Sequence, residues 1–154
     1  MIRNSALTVL ALCLACGVVR AEAQKPARKC PVVIGQIELS YNHQGGQSKP
    51  ELKVSFGNDS SKQVSTVIFS LSLLDSGGYP HPYPDDLTYR DGVEAGKEKV
   101  FTWELAPESV DMHRTGEAVV VLKVEFAGTS GQYPASWTDD GSESCKLTVD
   151  YHAR

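Results

Sequence analysis

At 154 residues the chain is long enough for one domain with a substantial core and short for two. Its 15 basic and 19 acidic side chains leave a formal charge of −4, so no basic surface awaits a phosphate backbone and nucleic acid is not the expected partner.

The first 24 residues, MIRNSALTVLALCLACGVVRAEAQ, read as a targeting segment. Arg3 precedes an apolar run from Ala6 to Val19, and Ala21-Glu22-Ala23 supplies the small-x-small pattern that a signal peptidase requires. Fourteen residues fall short of the roughly 20 that span a bilayer as a helix. The expectation is a signal peptide over 1–23, cleaved after Ala23, and secretion or residence in the periplasm. The rival reading is a lipoprotein cleaved before Cys16, which would anchor the chain in the envelope membrane by a lipid. A redox or metal role for Cys13-Leu14-Ala15-Cys16 is set aside, because both thiols lie in the discarded apolar run. Loss of residues 1–23 removes Arg3, Arg20 and Glu22, leaving 13 basic and 18 acidic side chains, a net −5.

Residues 24–29, QKPARK, form a polar lead-in, and strand grammar starts at Pro31. Ile37, Leu39 and Tyr41 alternate with Glu38 and Ser40, the two-residue period of a half-buried strand. NHQGGQSKP then reads as a turn, and Leu52, Val54 and Phe56 carry the next strand. Val67, Phe69, Leu71 and Leu73 share one face of a third, with Thr66, Ser70 and Ser72 opposite. A short strand is read near Leu87–Arg90 and a firmer one over 97–105, with Phe101, Trp103 and Leu105 inward. Residues 106–116 read as a loop with a helical turn. In 117–127 the expected inward set is Ala118, Val120, Leu122, Val124 and Phe126, with Val119 and Val121 opposite, as in a central strand. Cys145, Leu147, Val149 and Tyr151 alternate in the last strand. About seven strands, with turn signals between them and no amphipathic helix, predict a single all-β domain over 30–154, an antiparallel Ig-like or fibronectin-III-like β-sandwich.

Two stretches carry a family likeness. FGNDSSKQVSTVIFSLSLLDSGGY followed by VEAGKEKVFTWEL resembles the secreted bacterial Ig-like domains of the FxLYD type, through Phe56, Asn58, Leu73 to Gly78, Gly96 and Phe101. Leu73-Leu74-Asp75 stands where that family carries Leu-Tyr-Asp. The resemblance implies a sandwich fold, and such domains commonly have no known catalytic activity.

Chemistry is sparse. Cys30 and Cys145 are the two cysteines left after cleavage, and an oxidising compartment predicts one disulfide between them. Ser76–Gly92, SGGYPHPYPDDLTYRDG, has Pro80, Pro82 and Pro84 in alternation, a stiff polyproline-like arm that would project Tyr79, His81 and Tyr83 toward a partner. The alternative is a connection whose tyrosines fold back over the end of the sandwich. Tyr133 and Trp137 offer the flat rings a carbohydrate-binding module needs, although an alternating strand order puts them at the end opposite the Tyr79 loop; Trp137 also reads as core or rim packing. His81, Asp85, Asp86 and Asp91 have no tight ligand spacing, and Asp139 to Glu143 reads as an acidic turn, so no metal is expected. Asn58-Asp59-Ser60 fits a glycosylation acceptor and equally an ordinary turn. No nucleophile elbow, zinc-binding helix or phosphate-binding glycine loop is present. The expectation is a monomeric, non-catalytic module without cofactor, binding an unknown envelope or extracellular protein, with a glycan as the alternative.

Overall fold

The computed structural model describes residues 29–44, 47–110, 114–128, 135–139, 141 and 145–151. Residues 1–28, with the expected signal segment and most of the lead-in, lie outside them. Among the described residues nine strands follow in chain order: β1 (Val32–Gln44), β2 (Gln47–Asn58), β3 (Val64–Leu74), β4 (Pro80–Pro82), β5 (Leu87–Tyr89), β6 (Glu98–Glu104), β7 (Gly116–Phe126), β8 (Ser136–Thr138) and β9 (Lys146–Asp150). A 3₁₀ turn at Pro107–Ser109 occupies the loop where a helical turn was expected.

All pairings are antiparallel, and the strands form two sheets. One has the order β1-β2-β6. The other is built on the central pair β3 and β7, with β4 and β5 along the free side of β3 and β8 and β9 along that of β7. The fold is therefore the expected all-β sandwich. Its strand count exceeds the expected seven because two edges are each made of two short pieces. β4 and β8 have three residues apiece, too few to register as alternation, and β4 carries two prolines. The arm expected to stand free as a polyproline segment is thus a strand paired with β3, with His81 opposite Leu73.

Between the sheets lie Leu52, Val54 and Phe56 of β2 and Val67, Phe69, Leu71 and Leu73 of β3, all less than 5% exposed, as their alternation predicted. Five rings close a circuit of edge-to-face contacts: Phe56 to Phe69, Phe69 to Trp103, Trp103 to Phe101, Phe101 to Tyr89 and Tyr89 back to Phe56, with centroids 4.9–5.6 Å apart. Such contacts each contribute about 0.5–1.5 kcal/mol beyond the burial of their area. The circuit takes rings from four strands, so it ties the two sheets together.

The expected phase of β7 is corrected. Lys123 pairs with Ile68 and Val121 with Phe69, which leaves Leu122 as an extra residue, a β-bulge. Before the bulge Glu117, Val119 and Val121 face inward; after it Val124 does, and all four are fully buried. Val120 and Leu122, expected inside, are half-exposed.

Candidate functional site

The β3–β4 hairpin is organised by one side chain. The Asp75 carbonyl accepts the Gly78 N–H at 2.9 Å and the Thr115 hydroxyl at 2.6 Å. Its carboxylate oxygen Oδ1 accepts the backbone N–H of Gly77 at 2.8 Å and of Tyr79 at 3.0 Å. The other oxygen, Oδ2, lies 2.9 Å from His81 Nε2. The imidazole contact, and after it the Tyr79 N–H, hold this carboxyl below its ordinary range. Gly78 turns the chain with φ +78°, a conformation side chains resist. The result is a rigid mount on which Tyr79 is 71% exposed and His81, Pro80 and Pro82 face solvent.

Beside the mount is a cleft of about 240 Å³ lined by Leu73, Leu74, Asp75, His81, Pro82 and Ser109. It gathers a carboxylate, an imidazole and a hydroxyl, but Asp75 uses both oxygens to fasten the turn.

The expected contact residues divide. Tyr79 and His81 stand on the surface, whereas Tyr83 does not: its N–H donates to the Leu71 carbonyl at 2.8 Å, its hydroxyl accepts the Ala106 N–H at 3.0 Å, and its ring packs against the core. It sits opposite Leu71 on the inward face, so it follows the alternative in which a tyrosine of the stretch folds back. Trp137 is 7% exposed, paired across from the buried Val124, and therefore offers no platform to a sugar. Tyr133 lies outside the described residues. Trp137 flanks Val124 while the Tyr79 hairpin leaves the end of β3 that pairs with Gly116, so Trp137 and Tyr79 lie toward opposite ends of the sandwich.

Cys30 and Cys145 are both 1% exposed and adjacent as thiols, the Cys145 side chain being a hydrogen-bond partner of Cys30. Burial, then this neighbour, pushes the Cys30 thiol far up. Among the described residues no three His, Cys, Asp or Glu side chains converge as metal ligands; Asp140, Ser142 and Glu143 lie outside them. Asn58, 2% exposed, donates both amide hydrogens, to the carbonyls of Lys62 and Val93, and accepts from the Ser60 N–H and hydroxyl. With its amide nitrogen fully engaged in the interior, the acceptor sequence at Asn58 works as a turn.

One cluster escaped the sequence reading. Glu117 is fully buried, and its two oxygens accept the Tyr151 hydroxyl at 2.7 and 2.6 Å. The Leu39 N–H also bonds to this carboxylate, and the Arg114 guanidinium acts on it through its charge. Arg114 itself donates to the Leu39 carbonyl and the Tyr41 hydroxyl, both at 3.3 Å, and lies over the Tyr41 ring. Burial raises the Glu117 carboxyl, opposed by these contacts, while burial and the adjacent carboxylate push Tyr151 up to about 12. The signal was present: Glu117 is in phase with Val119 and Val121, the true inward face.

No protein-family model matches the chain, and no curated protein matches it either. Among solved structures, it is similar to a hypothetical protein from Peptoclostridium difficile 630, with 11% identity and a TM-score of 0.50 over 82% of this chain and 97% of that one. At that identity the likeness concerns the fold alone.

Proposed function

We propose that the protein is an exported, monomeric, non-catalytic Ig-like β-sandwich of the FxLYD type that binds an envelope or extracellular protein through its β3–β4 hairpin. The observation that carries this is Tyr79: a large ring held 71% exposed on a turn fixed by the Asp75 carboxylate. Apolar side chains on a pre-ordered mount lose little entropy on binding, and tyrosines recur as interface anchors. Tyr83, bound into the core, leaves the contact set. The glycan alternative loses Trp137 to the interior.

Export belongs to the same proposal. An intact mass beginning at Gln24 supports it, and a lipidated mass beginning at Cys16 would replace it with an anchored form. The contact is tested with a photo-crosslinking residue at Ser76 in the native envelope. A crosslinked protein partner is expected, lost about tenfold in Tyr79→Ala, whose thermal midpoint stays close to the parent's. Unchanged crosslinking, or a large fall in midpoint, would show that the hairpin is structural.

A further inference from the structure

Every open sandwich has strand edges with unpaired backbone groups, and here most are closed by a visible device. Asp75 with Tyr79 and Tyr83 with Leu71 set the hydrogen-bonded positions of β4, so its outward positions are Pro80 and Pro82, which have no N–H. On β5 the outward carbonyl is that of Thr88, and it accepts the Trp103 indole N–H at 3.4 Å. On β1 both outward groups of Leu39 are taken, by Glu117 and Arg114, which interrupts that edge at its middle. β8 and β9 are only three and five residues long.

Among the described residues β6 has no such device. Bonds from the Leu105 N–H to Pro50 and from the Asn58 N–H to Lys97 fix the phase of its pairing with β2. Alternation then turns the N–H and C=O groups of Glu98, Val100, Thr102 and Glu104 away from the sheet. Among the described residues none of these N–H groups has a partner. Val100, at the centre, is 56% exposed.

We infer that β6 accepts an extended segment of a partner protein as a fourth strand of the three-stranded sheet, a surface independent of the β3–β4 hairpin. A second copy of this chain is opposed by charge: antiparallel pairing of two β6 strands about Phe101 sets Glu98 against Glu104 twice. Glu104 is already held by Lys49 at 2.6 Å, whereas Glu98 has no ion-pair partner among the described residues. The segment that fits has small or β-branched residues beside Val100 and Thr102 and a basic residue opposite Glu98.

The test uses the ¹⁵N-labelled chain and a heptapeptide of alternating threonine and valine with lysine at each end. In the free protein the Val100 and Thr102 amides should exchange rapidly, while Phe101 and Trp103 are protected. The peptide should slow exchange at Val100 and Thr102 at least tenfold. Val100→Pro removes an outward N–H without touching the ladder to β2, so it should keep the thermal midpoint and weaken the peptide at least tenfold. Protection of these amides in the free chain at every concentration would mean that the edge is covered from within. Protection that appears only on concentrating the protein would assign the edge to a second copy. No response at millimolar peptide, or binding that Val100→Pro leaves intact, would also overturn the inference.

Discussion

Glu117 shows what a single buried charge does in this fold. Its carboxylate and the Arg114 guanidinium occupy the N–H and C=O of Leu39, as the backbone of a further strand would. Removing the acid leaves the Arg114 charge without its counter-charge and the Tyr151 hydroxyl and the Leu39 N–H without their acceptor, so Glu117→Ala should cost about 3–5 kcal/mol in a urea titration. Glu117→Gln keeps an acceptor and removes the charge, and it should be distinguished by pH. Because burial raises the folded carboxyl above the ordinary 4.5, the unfolded chain releases its proton first as pH rises. The parent therefore loses stability from the ordinary range upward until its own raised value is passed. Asp75 and Glu125, held low by His81 and Lys123, act oppositely, and their contribution disappears as pH falls. Both acids are present in the two proteins, so their effects cancel in the difference. The stability of Glu117→Gln relative to the parent should rise with pH through that window; a flat difference would mean the carboxyl titrates normally. Nothing in a list of residue types marks this glutamate as internal. Only the strand's phase does, and the Leu122 bulge makes Val120, Leu122 and Val124 look like one face.

Elements were legible where alternation ran for five residues or more. Ile37 and Leu39, Leu52 to Phe56 and Val67 to Leu73 have the burial their period announces. Of the three-residue edges, β5 was read near Leu87–Arg90, whereas β4 and β8 were not, because so short a strand takes its place from the one beside it. The alternating prolines of Ser76–Gly92 gain their meaning only there: Pro80 and Pro82 deny an edge its donors, while Tyr79, His81 and Tyr83 occupy the positions paired to β3. Restoring the donors tests this account. Pro80→Thr with Pro82→Thr adds two outward N–H groups and leaves every bond to β3 in place. The double variant should keep a thermal midpoint near the parent's yet associate with rising concentration, as followed by sedimentation velocity. A monomer across the same range would show that the prolines serve turn geometry alone.

Across the whole molecule, β9 is fastened at both ends. Cys145 leads into it beside Cys30, which precedes β1, and Tyr151 closes it on Glu117 of β7. Between them Gly116 lets the strand lie close, since a Cβ there would collide with the Val149 carbonyl oxygen. The N-terminal end of the sandwich is thus joined to its last strand through one thiol pair. If that pair is oxidised during export, two thiols yield two protons and two electrons to an acceptor disulfide, and the bond closes nearly the whole described chain into a loop. A loop of that length restricts the unfolded state by about 4–5 kcal/mol on the chain-entropy account. The burial that brings the thiols together also shields them: at 1% exposure, with the Cys30 thiol pushed far up, little thiolate is offered to an oxidant or an alkylating reagent. Oxidation should therefore precede closure of the sandwich. Refolding from urea with glutathione disulfide should give a product lighter by two hydrogens, with a raised unfolding midpoint. The folded dithiol, given the same reagent, should oxidise at least tenfold more slowly and resist iodoacetamide until urea is added. Equal rates in the two states would mean that β9 opens readily and fastens nothing.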